Sequence, residues 1–102
     1  MNTKTPAVYI LTNKYNGTLY SGVTLNLEQR IQQHKKGIFT QFAQRYDCKI
    51  LVYYEYFSTM QEAIMREKHL KGKIRKFKIE LIESINPFWE DLTTTSREFS
   101  ND

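Results

Sequence analysis

Residues 7–23 read AVYILTNKYNGTLYSGV, and this stretch decides the fold. Ala7–Thr12, rich in Val, Tyr and Ile, reads as a strand, and Thr18–Val23 reads as a second. Between them Asn13-Lys14-Tyr15-Asn16-Gly17 carries an Asn-Gly pair, a strong hairpin signal because both residues tolerate positive φ. Immediately outward, Asn26 caps a helix and Gln29 completes a capping box. That helix runs to about Lys36 and stops at Gly37, a left-handed C-cap. Leu27, Ile31 and His34 fall on one stripe of it, with Arg30 alongside, one turn before His34.

Farther along, Ile38–Cys48 reads as an irregular connection, too aromatic with Phe39, Phe42 and Tyr46 to be a loose loop. Lys49–Phe57, KILVYYEYF, is a strand whose apolar run suggests burial on both faces. Ser58 (with Gln61) and Thr59 (with Glu62) are alternative caps for a helix ending near Gly72. A further helix, about Lys73–Ile85, shows Ile74, Phe77, Leu81 and Ile85 at helical spacing. Asn86-Pro87 ends it, and PFWEDL folds back as an anchored tail. The order is β-β-α-β-α-α, an α+β domain over residues 1–92, with Thr93–Asp102 a polar, frayed tail. The absence of a βαβ series argues against a doubly wound nucleotide-binding sheet.

The chain has 102 residues, 14% of them aromatic, which fits one small domain and argues against disorder. A single cysteine, Cys48, cannot form an internal disulfide. Met1–Ala7 lacks an apolar h-region, and Ile50–Tyr54 is the longest apolar run. A cytoplasmic protein without a membrane partner is the expectation. The net charge of +4 is unevenly spread, +8 up to Ile82 and −4 from Glu83 onward. Arg66–Lys78 holds seven cations against Glu67 alone. Such a cluster either attracts a polyanion through phosphate contacts and counterion release or is a solvated lysine face.

Walker, Gly-x-Gly-x-x-Gly, Gly-x-Ser-x-Gly, His-Glu-x-x-His and Cys-x-x-Cys motifs are all missing. What remains is a polar set on apolar elements. Tyr9 and Tyr20 lie on the paired strands, while Arg30 and His34 share one helix face. Glu67 shares helical spacing with Met60, Ala63, Ile64 and Leu70, so it points partly inward, where a carboxylate needs a partner or a cation. Each has a plainer role open to it. The tyrosines could be packing, His34 could complement a helix C-terminus, and Arg30 could pair with Glu28. Glu67 and Lys71 could be an i, i+4 pair. Together, two phenols, an Arg, a His and an acid in a basic chain form a plausible phosphodiester-cleaving set.

These residues also carry a resemblance. AVYILTN followed by GTLYSGVTLNLEQRIQQH is similar to the GIY-YIG nuclease superfamily, whose two signature triplets correspond to Ala7-Val8-Tyr9 and Tyr20-Ser21-Gly22. The likeness runs over roughly Ala7–Leu92 and is greatest to the small stand-alone bacterial endo/excinuclease amino-terminal domain-like proteins. The ordered set Tyr9, Tyr20, Gly22, Arg30, His34 and Glu67 is its specific part. The resemblance implies a three-stranded antiparallel sheet flanked by helices. It also implies metal-dependent endonucleolytic hydrolysis of DNA, in repair or in processing of branched or single-stranded structures, with RNA as the other polymer. Glu67 would be the lone protein ligand of Mg²⁺ or Mn²⁺, and Arg30 would hold the scissile phosphate. Tyr9, Tyr20 or His34 would handle the attacking water. Lys35, Lys36, Lys68, Lys71, Lys73, Arg75 and Lys76 would contact the backbone. Ala7, Val8 and Ser21 depart from the triplets at backbone or packing positions. Val23 replaces the Lys of excision-repair relatives, so no Lys-assisted step is expected. A catalytically weak nucleic-acid-binding module of the same fold is the alternative.

Overall fold

The computed structural model describes residues 5–37 and 44–95. Phe39 and Phe42 of the aromatic connection, and residues 96–102 of the tail, lie outside the described residues. Three strands, β1 (Ala7–Thr12), β2 (Leu19–Thr24) and β3 (Ile50–Tyr56), form one antiparallel sheet in the order β2-β1-β3. Helices with both ends among the described residues are α1 (Leu27–Lys35), α2 (Met60–Lys71), α3 (Arg75–Ile85) and the single turn α4 (Leu92–Thr95).

Strand β1 is central, and all six of its residues are buried. Alternation sends them to two cores. Ala7, Tyr9 and Leu11 pack with Leu27 and Ile31 of α1, while Val8 and Ile10 pack with Ala63, Leu70 and Ile82 of α2 and α3. The sheet is thus covered on both faces, with α1 on one and α2 and α3 on the other. Strand β3 proves to be an edge strand, its outer end exposed at Tyr56. The apolar run that suggests two-sided burial holds only for Leu51, Val52 and Tyr53.

The hairpin loop is longer than a two-residue turn, because Thr12 pairs with Leu19. Gly17 N–H donates to Lys14 O at 2.9 Å, and Asn16 alone of the Asn-Gly pair takes positive φ, at 56°. Asn26 caps α1 by accepting from Gln29 N–H, and Gly37 follows the helix with φ of 70°. For α2, Thr59 is the cap, in a reciprocal box with Glu62. Helix α3 begins two residues later than the sequence suggests, with Ile74 extended at its N-cap. Its buried residue is Ile82, with Phe77, Ile79 and Leu81 packed beside it, whereas Ile74 and Ile85 are exposed.

The segment after α3 is anchored as expected. Asn86 Nδ2 donates to Val52 O and to Glu90 O, and Asn86 Oδ1 accepts from Glu90 N–H. Trp89 is buried at φ of 55°, and its Nε1–H donates to Glu83. Asp91 then pairs with Lys35 at 2.9 Å, tying the end of α1 to this segment. Among the described residues no helix is long and apolar enough to cross a membrane.

Candidate active site

The site grows out of one strand pair. Tyr9 on β1 lies opposite Gly22 on β2, so both face α1. A Cβ on Gly22 would fall on the Tyr9 ring and hydroxyl, which means the phenol lies directly across the glycine backbone. Only hydrogen at that position lets the ring take this path. Tyr20, opposite Leu11, stands on the same face, since two residues along a strand return to it.

Helix α1 supplies the next two groups. His34 is 2% exposed, and its Nε2 shares a 3.2 Å hydrogen bond with the Tyr9 hydroxyl. The rings of Tyr9, Tyr20 and His34 form a triangle with centroid distances of 6.4, 5.8 and 5.3 Å. Arg30, half-buried one turn earlier, donates from Nη1 to Val23 O at 3.4 Å and also hydrogen-bonds the Tyr9 hydroxyl. Burial pushes the Tyr9 phenol up to about 12, partly offset by Arg30; Tyr20 and Glu67 add smaller upward contributions. Burial, followed by the Arg30 charge, pulls His34 down to about 4. Tyr9 is therefore protonated and His34 neutral at pH 7. Neither is a strong base there.

Glu67 comes from the other side of the sheet, on the α2 stripe with Ala63 and Leu70. It is 8% exposed, and its carboxylate meets Lys71 Nζ at 2.6 Å. The i, i+4 pair and the inward carboxylate are thus both present.

Two open clefts flank β2. One, of about 330 Å³, is bounded by Val23, Thr24, Asn26, Gln29, Arg30 and Met60. The other, of about 260 Å³, is bounded by Leu19, Tyr20, Ser21, Lys71 and Lys78. Tyr20 lines a cleft, whereas Tyr9 has no exposed surface. Lys78, half-buried, belongs to the basic run, and no feature of that run separates it from its solvated neighbours in the sequence.

The basic residues divide by what they touch. Lys36, Lys68, Lys73 and Lys76 are exposed, Lys73 standing 5.3 Å from the Phe77 ring. Lys35 donates to Lys49 O and to Asp91. Arg75 Nη2 donates to Asn16 O at 2.8 Å and to Gly17 O at 2.7 Å, clamping the hairpin loop onto α3. Arg66 pairs with Glu55 at 3.0 Å.

Comparison with known proteins places these residues in a family. The family model of the GIY-YIG catalytic domain matches residues 5–80. A UPF0213 protein of Clostridium perfringens is 40% identical over 77 residues, covering 76% of this chain and 82% of its own length. A UPF0213 protein of Staphylococcus haemolyticus is 40% identical over 76 residues, covering 74% of this chain and 92% of its own. One of Bacillus licheniformis is 35% identical over 83 residues, covering 81% and 84%. No solved structure matches the chain.

Proposed function

The chain belongs to the GIY-YIG family, and from that premise we propose that it is a metal-dependent endonuclease hydrolysing DNA phosphodiester bonds. The family's catalytic domain is that of endonucleases, which generally use divalent metal ions. The observation that carries the reading is the gathering of Tyr9, Tyr20 and His34 on one face of the sheet beside Arg30, with a buried carboxylate, Glu67, on α2.

The donor set suits a hard cation. Among the described residues no three His, Cys, Asp or Glu side chains gather, so Glu67 would be a lone carboxylate ligand, with water and phosphate oxygens completing the shell. Its carboxylate is already held against a positive charge, the Lys71 ammonium, whose side chain is 60% exposed and able to swing outward. A bound Mg²⁺ or Mn²⁺ would polarise the phosphate and acidify a water. The other roles belong to the chain itself. Arg30, held by Val23 O and Tyr9, presents its guanidinium at one cleft, where it stabilises charge developing on the scissile phosphate. Tyr20, the site phenol that reaches a cleft, orients the attacking water. Tyr9 and His34, both buried, fix Tyr20 and Arg30 rather than touch substrate.

DNA in repair, with branched, flapped or single-stranded structures as substrates, is the expected setting in the cytoplasm. A binding module of the same fold is the second reading, favoured by the Glu67–Lys71 pair, which gives the carboxylate a structural partner. A cleavage panel of duplex, flap, fork and single-stranded DNA with Mg²⁺ or Mn²⁺ decides between them. The nuclease reading expects a cut product on at least one substrate, abolished by a chelator. Binding without cleavage on every substrate favours the module.

A further inference from the structure

We infer that Lys78 forms a second phosphate subsite, which grips the nucleic-acid backbone beside the scissile phosphate; this rests on the nuclease reading above. Lys78 is half-buried on α3, so its aliphatic stem is partly covered while its ammonium opens on the clefts it lines. Four ion pairs join described residues, and none includes Lys78. The cations that share its clefts are already engaged, Lys71 by Glu67 and Arg75 by the Asn16 and Gly17 carbonyls. The field over the cleft is therefore positive and unmatched by any acid lining it.

Lys78 also lines two adjoining clefts. One is shared with Tyr20 and Ser21, the other with Thr18 and Arg75, and Leu19 borders both. The pair makes a track running away from Tyr20 along β2. Arg30 stands at the opposite end, beside Val23. From Val23 back to Leu19 is about 13 Å at the usual strand rise. On a duplex that span reaches a phosphate within about four nucleotides of the scissile one. Arg30 and Lys78 would thus hold one strand at two points, with Tyr20 between them.

The test uses the full chain and DNA oligonucleotides carrying one uncharged methylphosphonate linkage at successive positions. Binding is read by fluorescence anisotropy without divalent ion, so that no strand is cut, and cleavage is read separately with Mg²⁺. The expected result is one flanking linkage whose neutralisation weakens wild-type binding about tenfold, the size of one charge-assisted contact. Lys78→Gln should lose the same tenfold on unmodified DNA and lose nothing more at that linkage, and its salt slope should fall by about one. Lys78→Arg should restore both. If Lys78→Gln fails to fold, Lys78→Met keeps the aliphatic stem and answers the same question. Unchanged affinity, or losses that multiply at every linkage, would overturn the subsite while wild-type cleavage left the nuclease reading standing. Wild-type protein that neither binds nor cuts DNA would overturn both.

Discussion

At the scale of the residue, the site turns on a glycine that carries no chemistry. Gly22 has space for a hydrogen and no more, because the Tyr9 ring crosses it. Gly22→Ala would force that ring aside and should destabilise the fold by about 1–3 kcal/mol, the usual range for overpacking. Denaturant unfolding of the variant measures it. An unchanged midpoint would mean the ring has room to move, and that the close approach does not hold the phenol. His34 makes a second residue-scale case. Its pKa is about 4 in the fold and about 6.5 in an unfolded chain. Between those values the unfolded state takes up a proton that the folded state refuses. The stabilisation is complete above about 6.5 and is lost as pH falls toward 4, up to about 3 kcal/mol. Asp91, held below the ordinary carboxylate range by Lys35 and Thr93, loses its contribution only at still lower pH. His34→Gln should therefore flatten the fall in melting temperature between pH 7 and 4.5. A variant with the wild-type slope would assign the acid sensitivity elsewhere.

Among the elements, the caps show what a sequence can and cannot fix. Both Ser58 and Thr59 fit a cap pattern, and the structure uses Thr59 with Glu62. Thr59→Ala should cost about 1 kcal/mol and Ser58→Ala little, read as paired thermal melts. Equal losses would contradict the observed box. The hairpin, α1 with its Asn26 cap and Gly37 stop, and α2 were legible because local signals suffice for them. The phase of α3 was not. Ile74, Phe77, Leu81 and Ile85 share spacing, yet Ile74 precedes the helix in extended conformation and Ile85 faces solvent. Which apolar stripe is buried depends on where the sheet lies, a long-range fact. The central position of β1 was hidden for the same reason, since the apolar run of β3 looks more buried in sequence. Of the candidate site, the sequence singled out Tyr9, Tyr20, Arg30, His34 and Glu67 as a polar set on apolar elements, each with a plainer role open to it. The ordering of the phenols, Tyr20 at a cleft and Tyr9 sealed behind it, needed the fold.

Over the whole molecule, the sheet acts as a partition with the candidate site residues arriving from both faces. Helix α1 brings Arg30 and His34 from one side, and α2 brings Glu67 from the other; the edge strand β2 lies between the clefts. Two long-range ties hold this arrangement, Arg75 to the hairpin loop and Lys35 to Asp91. The exposed lysines of α2 and α3 make that part of the chain net positive, while the stretch after Ile82, with five acids against Arg97, is net negative. Under the proposed function such a division lets affinity and cleavage be separated, because the lysines proposed to attract DNA are not the group proposed to hold the metal.

Glu67→Gln tests that separation most directly. The substitution keeps size and helix propensity and removes the buried charge that meets Lys71. Thermal melts with and without Mg²⁺, DNA binding, and cleavage are measured on both proteins. If Glu67 holds the metal, cleavage collapses, any Mg²⁺-dependent rise in melting temperature disappears, and folding and DNA binding survive. If Glu67 serves only as the partner of Lys71, the variant loses a few tenths of a kcal/mol and cuts DNA at the wild-type rate, which would contradict the account.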